Sequence, residues 1–172
     1  MRFDYQKLKD FTKAIASSFT EGGPVAGVIT FSTDAEISIK LSDHQQHNSF
    51  NDAVDNIPLM GRTTRTDKAL RLAQNELFTL ANGARQGIPK VLIALLDGSQ
   101  TPGGENSEAI ARELRNAGIQ LLLVGIGPEV SSSELLRIAD NDQSVVFSAP
   151  TFDYLYNGSL VDDVVQRVCP GE

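Results

Sequence analysis

Cysteine is almost missing from this 172-residue chain, and Cys169 stands alone, which excludes an internal disulfide framework and any cysteine-based zinc cluster. No run of about 18 apolar residues occurs, so no segment is long enough to cross a bilayer as a helix. Positive charge is in short supply, with 15 Lys+Arg against 22 Asp+Glu and a formal charge of -7. Without a basic stretch to neutralise phosphates, nucleic acid is not an expected partner. The amino terminus lacks the basic, apolar and small-residue order of a secretory leader, so the chain reads as cytosolic or as a segment of a longer protein. Gly125-Ile126-Gly127-Pro128 has neither the Lys nor the third glycine of a phosphate loop. There is also no nucleophile elbow and no acid–base pair, so catalysis is not expected. Linkers, repeats and low-complexity tracts are absent too. A 41% hydrophobic content over this length suits a single domain covering residues 1–172.

What is present is an alternation of helix and strand periods. Tyr5, Leu8, Phe11, Ile15 and Phe19 fall at helical spacing and predict a helix over about 4–19, ended by Glu21-Gly22-Gly23-Pro24. The run Val25 to Phe31 predicts a strand covered on both faces. Ile37, Ile39 and Leu41 alternate with polar residues, as in an antiparallel edge strand with one wet face. A polar stretch from Ser42 to Arg65 holds a short helix near Phe50 to Ile57, and its His44 and His47 read as a solvated loop. Leu70, Ala73, Leu77 and Leu80 predict a second long helix closed by Asn82-Gly83. Beyond it come a buried strand (91–96), a helix (107–117) capped by Gly118, and another buried strand (119–126). Ser131-x-x-Glu134 is a capping box opening a short helix. A last strand at 144–148 and a terminal helix lined by Leu160, Val161, Val164, Val165 and Val168 complete the pattern. The fold class is therefore α/β, a doubly wound and mostly parallel sheet with one antiparallel edge strand and helices on both faces. In such sheets the first strand is usually central, yet this pattern opens on a helix.

In open α/β sheets ligands bind at the carboxyl ends of the strands. Asp97 ends the most apolar strand, where burial without a partner would be costly. Two readings stand for it, a cation ligand or a cap accepting backbone N–H groups of the following loop. The stretch Gly61-Arg62-Thr63-Thr64-Arg65-Thr66-Asp67 precedes a helix, and its threonines serve as caps or as hydroxyl ligands. Asn157-Gly158-Ser159 matches an N-glycosylation acceptor. Cys169 is a free thiol or half of a disulfide whose partner lies outside the chain.

Leu59 to Thr66, the helix carrying Asn75 to Arg85, and Val91 to Gly98 together resemble a von Willebrand factor type A domain, and the resemblance covers nearly the whole chain. It is closest to the inserted domains of integrin alpha subunits and to the A domains of matrix proteins. That family's metal-ion-dependent adhesion site is built from a D-x-S-x-S loop after the first strand, a loop threonine and a strand-end aspartate. Carried over by position, the resemblance implies Thr63 and Asp97 as metal ligands, with Gly61, Arg62, Thr64, Gly98 and Ser99 in the ligand-binding loops. Mg²⁺ or Mn²⁺, or Ca²⁺, would be completed by an acidic residue of an extracellular protein ligand, collagen among the candidates. Integrin-style collagen recognition fits less well, because Gly127-Pro128-Glu129-Val130-Ser131 leaves no room for an extra helix. No Asp-x-Ser-x-Ser occurs here, and Tyr5 to Phe11 matches the start of the family's first helix. The first strand and its loop are therefore expected ahead of Met1, supplied by a longer parent or a second chain. In extracellular members a cysteine after the last helix often pairs with one before that strand, which would give Cys169 its partner. The expected role is an adhesion or matrix-interaction module, secreted and glycosylated. The alternative is a metal-independent structural module that self-associates in a matrix.

Overall fold

Tyr5, Leu8, Phe11 and Ile15 form the inner stripe of helix α1 (Arg2–Ser17), with Phe11 only 1% exposed. The computed structural model describes residues 2–20, 22–44, 46–59, 61 and 63–169. After α1 come strands β1 (Val28–Phe31) and β2 (Ala35–Ile39), helix α2 (His47–Asp55) and helix α3 (Thr66–Leu72). Strand β3 (Lys90–Leu96), α4 (Ser107–Asn116), β4 (Ile119–Ile126), α5 (Ser132–Ile138), β5 (Val146–Ala149) and α6 (Gly158–Val168) follow. No helix among the described residues is long and apolar enough to cross a membrane.

Most predicted elements are present, and the differences have local causes. The strand expected from Val25 starts only at Val28, and its four residues are half-buried. A side chain at Gly27 would sit 2.9 Å from the Ile39 carbonyl oxygen, so the backbones approach closely where pairing slips register beside Val28. The second long helix starts at Thr66, earlier than its apolar stripe, and from Ala73 to Leu77 it widens into a π turn. Phe78 N–H there reaches the Ala73 carbonyl at 3.3 Å. Gly118 follows α4 at φ +77°, the left-handed conformation that a Cβ would oppose.

The strands form two sheets. β1 and β2 pair antiparallel, and β3, β4 and β5 pair parallel in that order. β1 and β3 point the same way, because the loop ahead of α3 touches the carboxyl ends of both. Arg65 N–H donates to the Ser32 carbonyl just past β1 at 3.1 Å, and Thr101 N–H, in the loop that follows β3, donates to the Thr64 carbonyl at 2.9 Å.

Helices bridge the two sheets on both faces. On one face, Phe11 and Ile15 of α1 pack with Val91, Ile93 and Leu95 of β3, while Tyr5 and Ala16 pack with Val28 of β1. On the other face, Leu70 of α3 packs with Leu92, Ala94, Leu96 and Phe31, and Leu77 packs with Ile29. The facing edges of β1 and β3 are thus roofed and floored by apolar side chains, while neither strand pairs with the other among the described residues.

Candidate functional site

Three segments meet at the carboxyl ends of β1 and β3. They are residues 32–34 after β1, the loop from Gly61 into α3, and residues 97–105 after β3. The loops are tied by main-chain bonds, which fixes their relative positions better than exposed side chains could. Thr64 N–H donates to Thr101 Oγ1 at 3.0 Å, reciprocating the Thr101-to-Thr64 bond between their backbones. A Cβ placed on Gly98 would lie 3.5 Å from Thr64 Oγ1, so this hydroxyl faces the residue next to Asp97.

The two threonines therefore part company. Thr63 is exposed, and its Oγ1 shares a hydrogen bond of 2.8 Å with Thr33 Oγ1 in the turn after β1. Thr64, expected only as a loop residue, is the one aimed at the Asp97 end of β3. Gly61 lies against Ser32, with its virtual Cβ 3.4 Å from Ser32 Oγ. Ser99 donates weakly to the Glu129 carbonyl at 3.4 Å. Arg62 and Met60 lie outside the described residues.

Asp97 is exposed, so its carboxylate is not the poorly hydrated group that its place after an apolar strand suggests. Its side chain has no hydrogen-bond or ion-pair partner among the described residues, and the loop-cap reading does not describe it. The cap of this loop comes from elsewhere. Gln100 N–H donates to Glu134 Oε1 at 2.9 Å, which diverts Glu134 from the reciprocal bond of its capping box. The other half of that box stands, with Ser131 Oγ accepting from Glu134 N–H at 3.3 Å.

Beneath these loops lies a carboxylate whose role was not foreseen. Asp67, in the first turn of α3, has a side chain only 2% exposed. The Arg65 guanidinium grips it with Nε–Oδ1 at 2.8 Å and Nη2–Oδ2 at 2.7 Å, and Glu105 N–H adds a bond of 2.9 Å. These bonds, the guanidinium's first, hold its pKa below the usual carboxylate value against the opposing effect of burial. Gly104 is required here, since a Cβ would meet Asp67 Oδ2 at 2.6 Å. The signal in sequence was slight, an acidic residue at a helix start two places after an arginine.

At this site one buried group is left wanting. The Thr66 hydroxyl, on a residue 2% exposed, has no hydrogen-bond partner among the described residues. Such a group costs about 1–3 kcal/mol until something satisfies it. Asp97 and the threonine hydroxyls are oxygen donors of the type a hard divalent cation takes, but they are too few to fill six positions. Among the described residues no group of three His, Cys, Asp or Glu could hold a metal. The donor set fits in kind and falls short in number.

A doubly wound α/β sandwich with its loop-built site at the strand ends is a ligand-binding class of fold. The model of the von Willebrand factor type A domain matches residues 1–160, and the chain belongs to that family. It is 30% identical over 167 residues to von Willebrand factor A domain-containing protein 2 of Xenopus laevis, covering 96% of this chain and 20% of that protein. Against the human collagen alpha-5(VI) chain it is 30% identical over 168 residues, covering 96% of this chain and 6% of the collagen. It thus spans a small part of the relatives it matches. Proximal thread matrix protein 1 from the mussel byssus superposes with a TM-score of 0.91 at 25% identity, covering 98% of this chain and 44% of that one. A further structure of that mussel protein, described with a zinc-occupied MIDAS motif, gives a TM-score of 0.90 at 24% identity, with coverages of 98% and 44%.

Proposed function

We propose that this chain is a non-catalytic interaction module of extracellular matrix or adhesion proteins, engaging a protein ligand with the face built by residues 61–66 and 97–105. The observation that carries this reading is the convergence of Asp97, Gly98 and the Thr64 hydroxyl at the strand ends of a von Willebrand factor A fold. Its relatives include collagens and an integrin alpha subunit, which supports a protein as ligand and a setting outside the cell.

In this reading Asp97 and Thr64, with Thr63 beside them, supply part of the shell of Mg²⁺ or Mn²⁺, or of Ca²⁺. The cation would polarise an acidic group of the ligand. The remaining oxygens come from a strand and loop outside these residues. Several features support such a strand. The facing edges of β1 and β3 are unpaired among the described residues but point the same way, and α1 and α3 cover the space between them on both faces. The amino-terminal half of α1 lies toward the same end of the fold, since Lys7 and Asp10 meet Asp153 and Tyr156 in the segment that follows β5. A strand leading into α1 and on to β1 would make a parallel strand–helix–strand unit, for which the right-handed connection is favoured. The unpartnered Thr66 hydroxyl is a group its loop would satisfy.

The test is the thermal melt in EDTA and in millimolar Mg²⁺ or Mn²⁺, of this chain and of a form extended by a seven-residue apolar strand with an acidic loop. Cation at a hundred times its Kd adds about 2.7 kcal/mol, which reads as several degrees. The expected outcome is a cation-dependent rise in the extended form that Asp97→Ala abolishes. A melt indifferent to metal in both forms favours the second reading, a structural module that associates without metal, to which the small number of donors points.

A further inference from the structure

The sequence contains a single Asn-x-Ser/Thr triplet, Asn157-Gly158-Ser159, and it stands where α6 begins. Asn157 is exposed and caps that helix. Its Oδ1 accepts the Ser159 N–H at 3.0 Å and the Ser159 hydroxyl at 2.8 Å. The cap uses only the carbonyl oxygen, and Nδ2 makes no hydrogen bond among the described residues. Substituting Nδ2 therefore leaves the cap whole. The flank is unusual as well. Tyr156 and Tyr154 are 59% and 39% exposed, two of the few large hydrophobic side chains left at the surface. Tyr156 is anchored by its hydroxyl, which donates to Asp10 Oδ2 at 3.0 Å. An amphipathic ring fixed at one end offers an apolar body to the C–H groups of a sugar.

We propose that Asn157 carries an N-linked glycan whose first sugar packs beside Tyr156 and Tyr154. In the transfer, Asn157 Nδ2 attacks the anomeric carbon of a lipid-diphosphate-linked oligosaccharide. The new C–N bond replaces the C–O bond to phosphate, the lipid diphosphate leaves with the electron pair, and Nδ2 gives up one proton to a base. The proposal rests on the extracellular part of the reading above. Its assay supplies a leader of its own, so failure would count against Asn157 and not against that setting.

The chain is translated with a cleavable leader in the presence of microsomes, with a reporter acceptor site appended after Glu172 to register translocation. Translocated chains are expected to gain two glycans, both removed by peptide N-glycosidase, and the Gly158→Pro variant only one. Proline suits this first helical position, where Gly158 has open space around its Cβ and Asn157 already holds φ -72° and ψ 113°. The variant thus removes the acceptor pattern without removing the cap. Translocated chains carrying the reporter glycan alone would overturn the proposal. For the packing, the secreted glycoprotein is expected to melt above its enzymatically deglycosylated form, with Tyr156→Ala narrowing the gap. A glycan that leaves the melt unchanged or lowers it would overturn that part.

Discussion

β3 and β4 are neighbours of nearly equal apolar character, yet the fold treats them differently. In β4 the residues Leu122, Leu123, Val124 and Ile126 are all 0% exposed, whereas every residue of β3 before Leu96 is only half-buried. Both strands have helices above and below. The difference lies in the plane of the sheet, where among the described residues β4 has a strand on each side and β3 has a strand on one side. Helices can cover the faces of a strand without drying its edge. Burial in a sheet is thus a property of lateral order, and the segment reading KVLIALL carries no information about how many neighbours it has.

A matched pair of truncations followed by urea unfolding tests the difference between the two strands. Leu122→Ala in β4 should cost about 3–5 kcal/mol, as for a fully buried leucine, and Leu92→Ala in β3 clearly less. Equal costs would show that the edge of β3 is as dry as the centre of β4. Next in size is the pair beneath the loops at the end of β3. Asp67→Asn leaves Arg65 half-buried without its partner and should cost about 3 kcal/mol, read in the same way.

The same pair predicts a pH dependence. Because the folded pKa of Asp67 is lowered, its contribution is fully present above the ordinary carboxylate value of about 4. That contribution is lost as the pH falls through the lower folded value. The acid limb of the stability curve should flatten in Asp67→Asn, and an unchanged limb would show that the pair is not formed. The smallest effect concerns the helix behind β4. Asn106 Oδ1 accepts two N–H groups at the start of α4, so Asn106→Ala should cost about 1 kcal/mol. Ser131→Ala in α5, where the cap makes a single bond, should cost less.

Legibility followed how local the cause was. Helix stripes such as Tyr5, Leu8, Phe11 and Ile15, the Gly118 stop and the Ser131 cap depend on residues within a turn or two, and they were readable. The start of α3 at Thr66 was not, because its first turn is anchored by Asp67 contacts with Arg65 and with Glu105, 38 positions away. The π turn at Ala73 to Leu77 was equally hidden, since the residues around it serve two different sheets. For the site, position along the chain singled out Asp97 and the threonine loop. It gave the ligand role to Thr63 and only a loop place to Thr64, whereas neighbouring residues in a loop point in different directions and only the bonds to Thr33 and Thr101 show where each one goes.

The spacing of apolar residues along the chain was enough for the alternation of helix and strand periods, and with it an α/β sandwich with a candidate site at the strand ends. The family motif pointed to the threonine loop and to Asp97 as the parts of that candidate site. The tertiary structure alone shows that the strands form two sheets bridged by α1 and α3, that Asp97 is exposed, and that Thr64 turns toward Gly98 beside it. Periodicity is a short-range property carried by the spacing of apolar side chains. Lateral strand order and loop packing depend on hydrogen bonds between backbones dozens of residues apart, and backbone groups are the same in almost every residue.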